Sequence, residues 1–107
     1  MTTYEAGDLA PIAFPFTSGT GSKQRPSLVL FDAGDSDIIV ASIPTQPRSS
    51  AFDVPVLDWQ AAGLLAPSTA RLHKLATLEK ALVRRALGRL SESDWAAAAR
   101  VIRQVFP

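Results

Sequence analysis

Residues 14–26 read Phe-Pro-Phe-Thr-Ser-Gly-Thr-Gly-Ser-Lys-Gln-Arg-Pro and carry the residue types that phosphate chemistry asks for. Lys23 and Arg25 bring positive charge, and Ser22 adds a hydroxyl beside them. Gly19 and Gly21 reach backbone angles closed to other residues, so this segment can fold over a ligand. Pro26 fixes the backbone where an apolar run, Leu28-Val29-Leu30, begins. A cationic loop mounted on a rigid strand is a reasonable cradle for a phosphodiester. The competing reading is a solvated hairpin loop, and composition alone favours it.

The rest of the chemistry is bounded by what the chain contains. There is one histidine, His73, and no cysteine, which excludes a two-histidine mechanism, a disulfide framework and a thiolate nucleophile or metal site. His73 falls in a strand-like stretch and reads as a structural residue. The net charge of +1 conceals an asymmetry: residues 1–58 carry −4 and residues 59–107 carry +5. The second half therefore suits nucleic acid or an acidic protein segment, or else is simply a solvated basic surface. At 107 residues, with 47% hydrophobic and 20% charged side chains, the sequence predicts one globular domain, 1–107. No apolar run reaches membrane-spanning length. Residues 1–5 lack the basic and apolar regions of a signal peptide, so the cytoplasm is the expected compartment.

The elements that must position these residues are short strands and one helix. Strands are expected from Gly7 to Phe14, with Pro11 marking an edge or bulge, and over 27–31, 38–43 and 52–57. Residues 33–37, Ala-Gly-Asp-Ser-Asp, are turn chemistry, and 44–50 form a second irregular loop. Asp58 to Gly63 predicts a single helical turn ending at the glycine. Residues 68–75 alternate, with Ala70, Leu72 and Lys74 assigned to one face and Arg71, His73 and Leu75 to the other. Over 77–90, Leu78, Leu82, Val83 and Leu87 fall at helical spacing, with Gly88 as a C-cap. A last helix starts at Ser91, with Asp94 completing a partial capping box and Trp95, Ala98, Ala99, Ile102, Val105 and Phe106 forming its apolar stripe. Hairpin-joined strands in the first half predict a small, curved antiparallel sheet or barrel.

In order along the chain, Gly7-Asp8, Phe14-Pro15-Phe16-Thr17, Gly21-Ser22-Lys23 and Arg25-Pro26 leading into Leu28-Val29-Leu30 resemble the opening of PemK/MazF-type toxins. Ile39-Val40-Ala41 with Thr45-Gln46, Asp53-Val54-Pro55, residues 58–64, Arg71-Leu72-His73-Lys74 and residues 87–91 continue the resemblance over nearly the whole chain. It implies a mainly β fold, an SH3-like small antiparallel barrel with a C-terminal α-helix, assembled as a homodimer. On this resemblance, residues 77–90 are more strand and turn than helix. The implied activity is the toxin of a type II toxin–antitoxin pair: a sequence-specific, metal-independent endoribonuclease acting on single-stranded RNA. No cofactor is implied, and the acidic segment of a cognate antitoxin blocks the RNA groove.

Such cleavage uses the ribose 2′-hydroxyl as nucleophile and leaves a 2′,3′-cyclic phosphate and a 5′-hydroxyl. It needs a proton acceptor, a proton donor and positive charge on the phosphate. The resemblance carries the catalytic role onto Arg25, whose guanidinium grips two phosphate oxygens at once. Guanidinium basicity argues for charge stabilisation rather than proton transfer. The second catalytic position in the family is a threonine in a pattern like Ile-Thr-Ser-Gln. Here the stretch reads Ile43-Pro44-Thr45-Gln46, so Pro44 stands at the threonine position and Thr45 one residue on. Thr45 is the candidate that shifts into the role. Ser22 and Lys23 are candidate phosphate contacts, and Gln46 and Arg48 in the following loop are candidates for gripping backbone or reading bases. The alternative is a catalytically weakened or inactive RNA- or protein-binding module on the same barrel, which Pro44 favours.

Overall fold

Apolar and β-branched segments pair into one antiparallel sheet. Its strands are β1 (Asp8–Pro15), β2 (Ser22–Asp32), β3 (Asp37–Ser42), β4 (Asp53–Val56), β5 (Ser68–Glu79) and β6 (Gly88–Arg89). They lie in the order β4-β5-β3-β2-β1-β6, and a helix, α1 (Glu92–Val105), follows. The computed structural model describes residues 3–15, 22–85 and 88–107, and the side chains of Phe14, Pro15, Ser22 and Lys23 lie outside that description. The glycine-bearing segment 16–21 lies outside it as well.

The sheet is apolar on both faces, which is why few strands alternate cleanly. Leu9, Leu28, Ala41, Val54 and Leu72 pack on one face against Ala98 of α1, with Trp95 and Ile102 alongside. Ala10, Ile12, Val29, Ile38 and Val40 form a second cluster, covered by Tyr4, Leu78, Leu82 and Val83. Each fully buried leucine or isoleucine in these clusters contributes roughly 1.5–3 kcal/mol.

Hairpin β2–β3 turns where the sequence places it. Asp32 Oδ1 accepts from Gly34 N at 2.7 Å, and Asp35 Oδ1 accepts from Asp37 N at 3.0 Å. Gly34 takes φ 89°, which a side chain would oppose. The same Asp32 carboxylate, with none of its side chain exposed, accepts from Tyr4 N at 2.7 Å and meets Lys80 Nζ at 2.9 Å. The Tyr4 amide first and the Lys80 ammonium second hold its pKa down to about 2. One side chain therefore fastens the N-terminal segment, the hairpin and the end of β5.

The helical turn expected from Asp58 forms, with Ala62 N donating to Asp58 O at 3.1 Å and Gly63 ending it at φ 93°. Ser91 caps α1 by accepting from Asp94 N at 3.2 Å. The capping box goes no further. The Asp94 carboxylate, 3% exposed, instead accepts from Leu57 N at 3.2 Å and Asp58 N at 2.9 Å. It ties the first turn of the helix to the end of β4.

Two sequence expectations are corrected. Among the described residues of 77–90 the helix suggested by spacing does not form, and strand and turn, which the resemblance implied, stand there instead; Leu87 lies outside the description. β5 runs on to Glu79, with Thr77 paired to Ile39 and Leu78 to Ile38, and a single 3-10 turn over Lys80–Leu82 follows. Val83 then bridges to Ile12, and Arg84 N donates to Pro11 O at 3.0 Å. Strand pairing satisfies this backbone and buries Leu78, Leu82 and Val83 against the second cluster, so tertiary packing overrides local propensity. Gly88 lies in β6 rather than at a helix end, opposite Leu9. The second correction concerns Lys74. The β3–β5 register jumps from Ala41↔Leu75 to Ser42↔Arg71, so β5 is bent by extra residues at this point. Ala70 and Leu72 are buried, but past the bend Leu75 packs on the core and Lys74 is exposed.

Candidate nucleic-acid interface

The first residues of β2 pair with β1, Arg25 opposite Ile12 and Pro26 opposite Pro11. On the other side β2 outruns its partner: the last β2–β3 pair is Ser27↔Ser42. A proline there removes no ladder hydrogen bond, which explains how Pro26 sits inside a long strand. Beyond Ser42 the chain turns away through Ile43 and Pro44, whose carbonyl accepts from Thr69 N at 3.1 Å.

This arrangement leaves an open groove of about 520 Å³. Arg25 and Thr45, distant in sequence, both line it, with Ser42, Pro44 and Lys74. Arg25 is exposed, and among the described residues no carboxylate comes within ion-pairing distance of it. The groove lining holds two cations, Arg25 and Lys74, and no carboxylate. Such a site attracts an anionic chain and leaves its guanidinium free to grip it. It also holds no imidazole, so what it offers chemically is positive charge and hydroxyl groups.

The remaining candidates divide. Gln46 and Arg48 are exposed and bonded to each other, Arg48 Nη2 donating to Gln46 Oε1 at 3.2 Å, and neither lines the groove. The side chains of Ser22 and Lys23 lie outside the described residues, although both belong to β2 one and two residues before Gln24. Sequence reasoning missed Lys74, because the alternation that assigned it to a core face stops at the bend in β5. It also missed Ser42 and Gln24, which carry no pattern of their own.

Behind the groove wall, β5 presents a polar cluster. Arg71, the partner of Ser42, donates from Nε to Asp53 Oδ1 at 2.8 Å, and its Nη2 lies 3.5 Å from His73 Nε2. Burial pushes the Asp53 pKa up, but hydrogen bonds from Arg71 and Ser50 outweigh it and leave the carboxyl below its ordinary range. Phe52 stacks obliquely on the His73 ring, centroids 5.4 Å apart. These bonds hold the bent middle of β5, next to Lys74. No group of three or more potential metal ligands occurs among the described residues.

Solved structures share this architecture across nearly the whole chain. An endoribonuclease from mycobacterial species superposes with TM-score 0.79 at 13% identity, covering 99% of this chain and 93% of its own. MazE–MazF from Deinococcus radiodurans gives 0.75 at 17%, covering 99% and 97%. The Mycobacterium tuberculosis toxin MazF-mt6 gives 0.70 at 29% identity, covering 90% and 95%. The comparison with curated protein sequences gave no match. The fold is thus that of the small β-sheet toxins. Residues 5–106 match the model of the PemK-like, MazF-like toxins of type II toxin–antitoxin systems, and the chain belongs to that family.

Proposed function

We propose that this chain is a sequence-specific endoribonuclease toxin that cuts single-stranded RNA without a metal ion and is held in check by an acidic segment of a cognate antitoxin. The observation that carries the reading is the exposed Arg25, without an ion pair among the described residues, lining with Thr45 a groove whose lining holds a second cation and no carboxylate. The ribose 2′-hydroxyl attacks the adjacent phosphorus, the P–O5′ bond breaks, and the products are a 2′,3′-cyclic phosphate and a 5′-hydroxyl. Arg25 binds the nonbridging oxygens as charge builds on the phosphorane, where a fixed cation is worth most. Lys74 holds a flanking phosphate, and the Thr45 hydroxyl sits where the proton leaving the 2′-oxygen or reaching the 5′-oxygen can be relayed. Gln46 and Arg48 grip the strand outside the groove, and Ser22 and Lys23 add phosphate contacts.

Family membership supports the antitoxin as partner, and the mycobacterial and Deinococcus complexes carry antitoxins on this same fold. A homodimer completes the reading. Phe31 and Phe106, 56% and 63% exposed, flank an apolar groove between the sheet and α1 that a second copy can cover. The substrate places the action in the cytoplasm.

The test is incubation of purified protein with synthetic single-stranded RNA in excess EDTA. Fragments ending in 2′,3′-cyclic phosphate and 5′-hydroxyl support the reading. RNA that stays intact, or is cut only when a divalent metal is returned, contradicts it. One observation favours a second reading. Pro44 lines the groove without a hydroxyl or an amide hydrogen, as a binding module that does not cleave would allow. Tight RNA binding with no fragments would select it.

A further inference from the structure

Because β2 outruns β3, a notch opens between the start of β2 and the segment leaving β3. Two hollows meet there. One is the Arg25 groove. The other, about 230 Å³, is walled by Pro11, Pro26, Leu64 and Leu65. Gln24, Pro26 and Thr45 line both, so the notch joins them around the Thr45 side chain. The walls of the second hollow are fixed. Leu64 is 6% exposed and its amide donates to Trp59 O at 3.0 Å, while Ser68 Oγ donates to Ala66 O at 2.9 Å. Leu65, in contrast, is 98% exposed at the rim. A lone exposed leucine is ordinary, but here it borders an apolar hollow that opens onto a cationic groove.

We propose that this hollow is a nucleobase slot that sets the nucleotide preference of the enzyme. The proposal rests on the ribonuclease reading. With a phosphate on Arg25, the neighbouring nucleotide turns through the notch past Thr45, and its base enters between the Pro11–Pro26 wall and Leu64–Leu65. The exposed Gln24 amide, with donors and an acceptor on one planar group, meets the polar edge of the base. Sequence in RNA is read from unstacked bases held against flat or apolar surfaces and bonded along their edges, which is what this hollow supplies. Neither lining contains a carboxylate to repel the strand. The hollow is smaller than ordinary drug-sized pockets, roughly 300 Å³ and up, and suits one base.

The experiment compares wild type, Leu65→Ser and Gln24→Ala, all at exposed positions and checked for folding by thermal melting. Each is given a random-sequence RNA pool, and the cleavage ends are sequenced. In parallel, binding is measured to four oligonucleotides with 2′-O-methyl riboses, identical but for the base flanking the scissile position. Both variants are expected to lose about fivefold or more of the discrimination at one and the same nucleotide position, in cleavage and in binding. Leu65→Trp, which adds a stacking surface, is expected to bind more tightly with that discrimination altered. Preference unchanged at every position in both variants overturns the slot. So does weaker binding of an acidic antitoxin peptide with RNA discrimination intact, which would assign the hollow to a protein side chain. Absent cleavage by the wild type removes the ribonuclease reading, but a base preference in binding that the variants erase still supports the slot.

Discussion

Arg25 carries the reaction in this account, and its surroundings set what each substitution does. It is exposed and makes no ion pair among the described residues, so Arg25→Ala removes charge from the groove without opening the core. Loss of one stabilising group of this kind costs about 100-fold to 1000-fold in rate. Pro44→Thr is the converse change. It restores a hydroxyl where the family pattern has one, and cleavage in a fixed-time assay is expected to rise about tenfold. An unchanged rate would show that Thr45 already fills the role. Arg71 and Asp53 mark the contrast between a structural ion pair and an exposed cation. Asp53 is 1% exposed and Arg71 20%, so Asp53→Ala strands a partly buried guanidinium and should lower unfolding free energy by roughly 3 kcal/mol in urea titration. Lys74→Ala should instead weaken RNA binding and leave the urea midpoint in place.

Elements decide which of these residues meet. The family pattern carried site roles onto both Arg25 and Thr45, and the fold puts both on the lining of one groove. The bend in β5 was not legible: nothing in Arg71-Leu72-His73-Lys74 announces extra residues, and a period of two carried across the bend assigns Lys74 to the wrong face. The false helix over 77–90 has a related cause. Leu78, Leu82 and Val83 are apolar because they cover the second cluster, and a spacing of four and one fits that surface as well as a helix stripe. Gly88 shows the opposite case, a residue whose identity is dictated by a distant turn. A Cβ added there would overlap the carbonyl oxygen of Ala62 on the 58–63 turn, backbone that Asp94 helps fix. Gly88→Ala is therefore expected to destabilise the protein by roughly 2 kcal/mol, read as a lower melting temperature, with RNA affinity of the folded fraction unchanged. A melting temperature equal to wild type would mean that β6 shifts freely.

The whole molecule joins an acid-sensitive frame to a cationic groove. Asp32 and Asp53 both have lowered carboxyl pKa values in the folded state, Asp32 at about 2 against an ordinary 3.8. A lowered carboxyl stabilises the fold fully above its unfolded value, and the contribution disappears as the pH falls through the folded one. Melting temperature should therefore hold steady from pH 7 to 5 and fall below about pH 4, and Asp32→Asn should flatten that fall. RNA binding should weaken with salt, since Arg25 and Lys74 displace counterions from the strand. Strand order and the reach of β2 beyond β3 put Arg25 and Thr45 on the lining of one groove, with the guanidinium exposed. The measurement that bears on it most directly is single-turnover cleavage of a short single-stranded RNA in EDTA by wild type and Arg25→Ala, with melting temperatures taken alongside. The account predicts cyclic-phosphate fragments from the wild type and a loss of about 100-fold or more in the variant at equal melting temperature. Equal rates from the two proteins would contradict it.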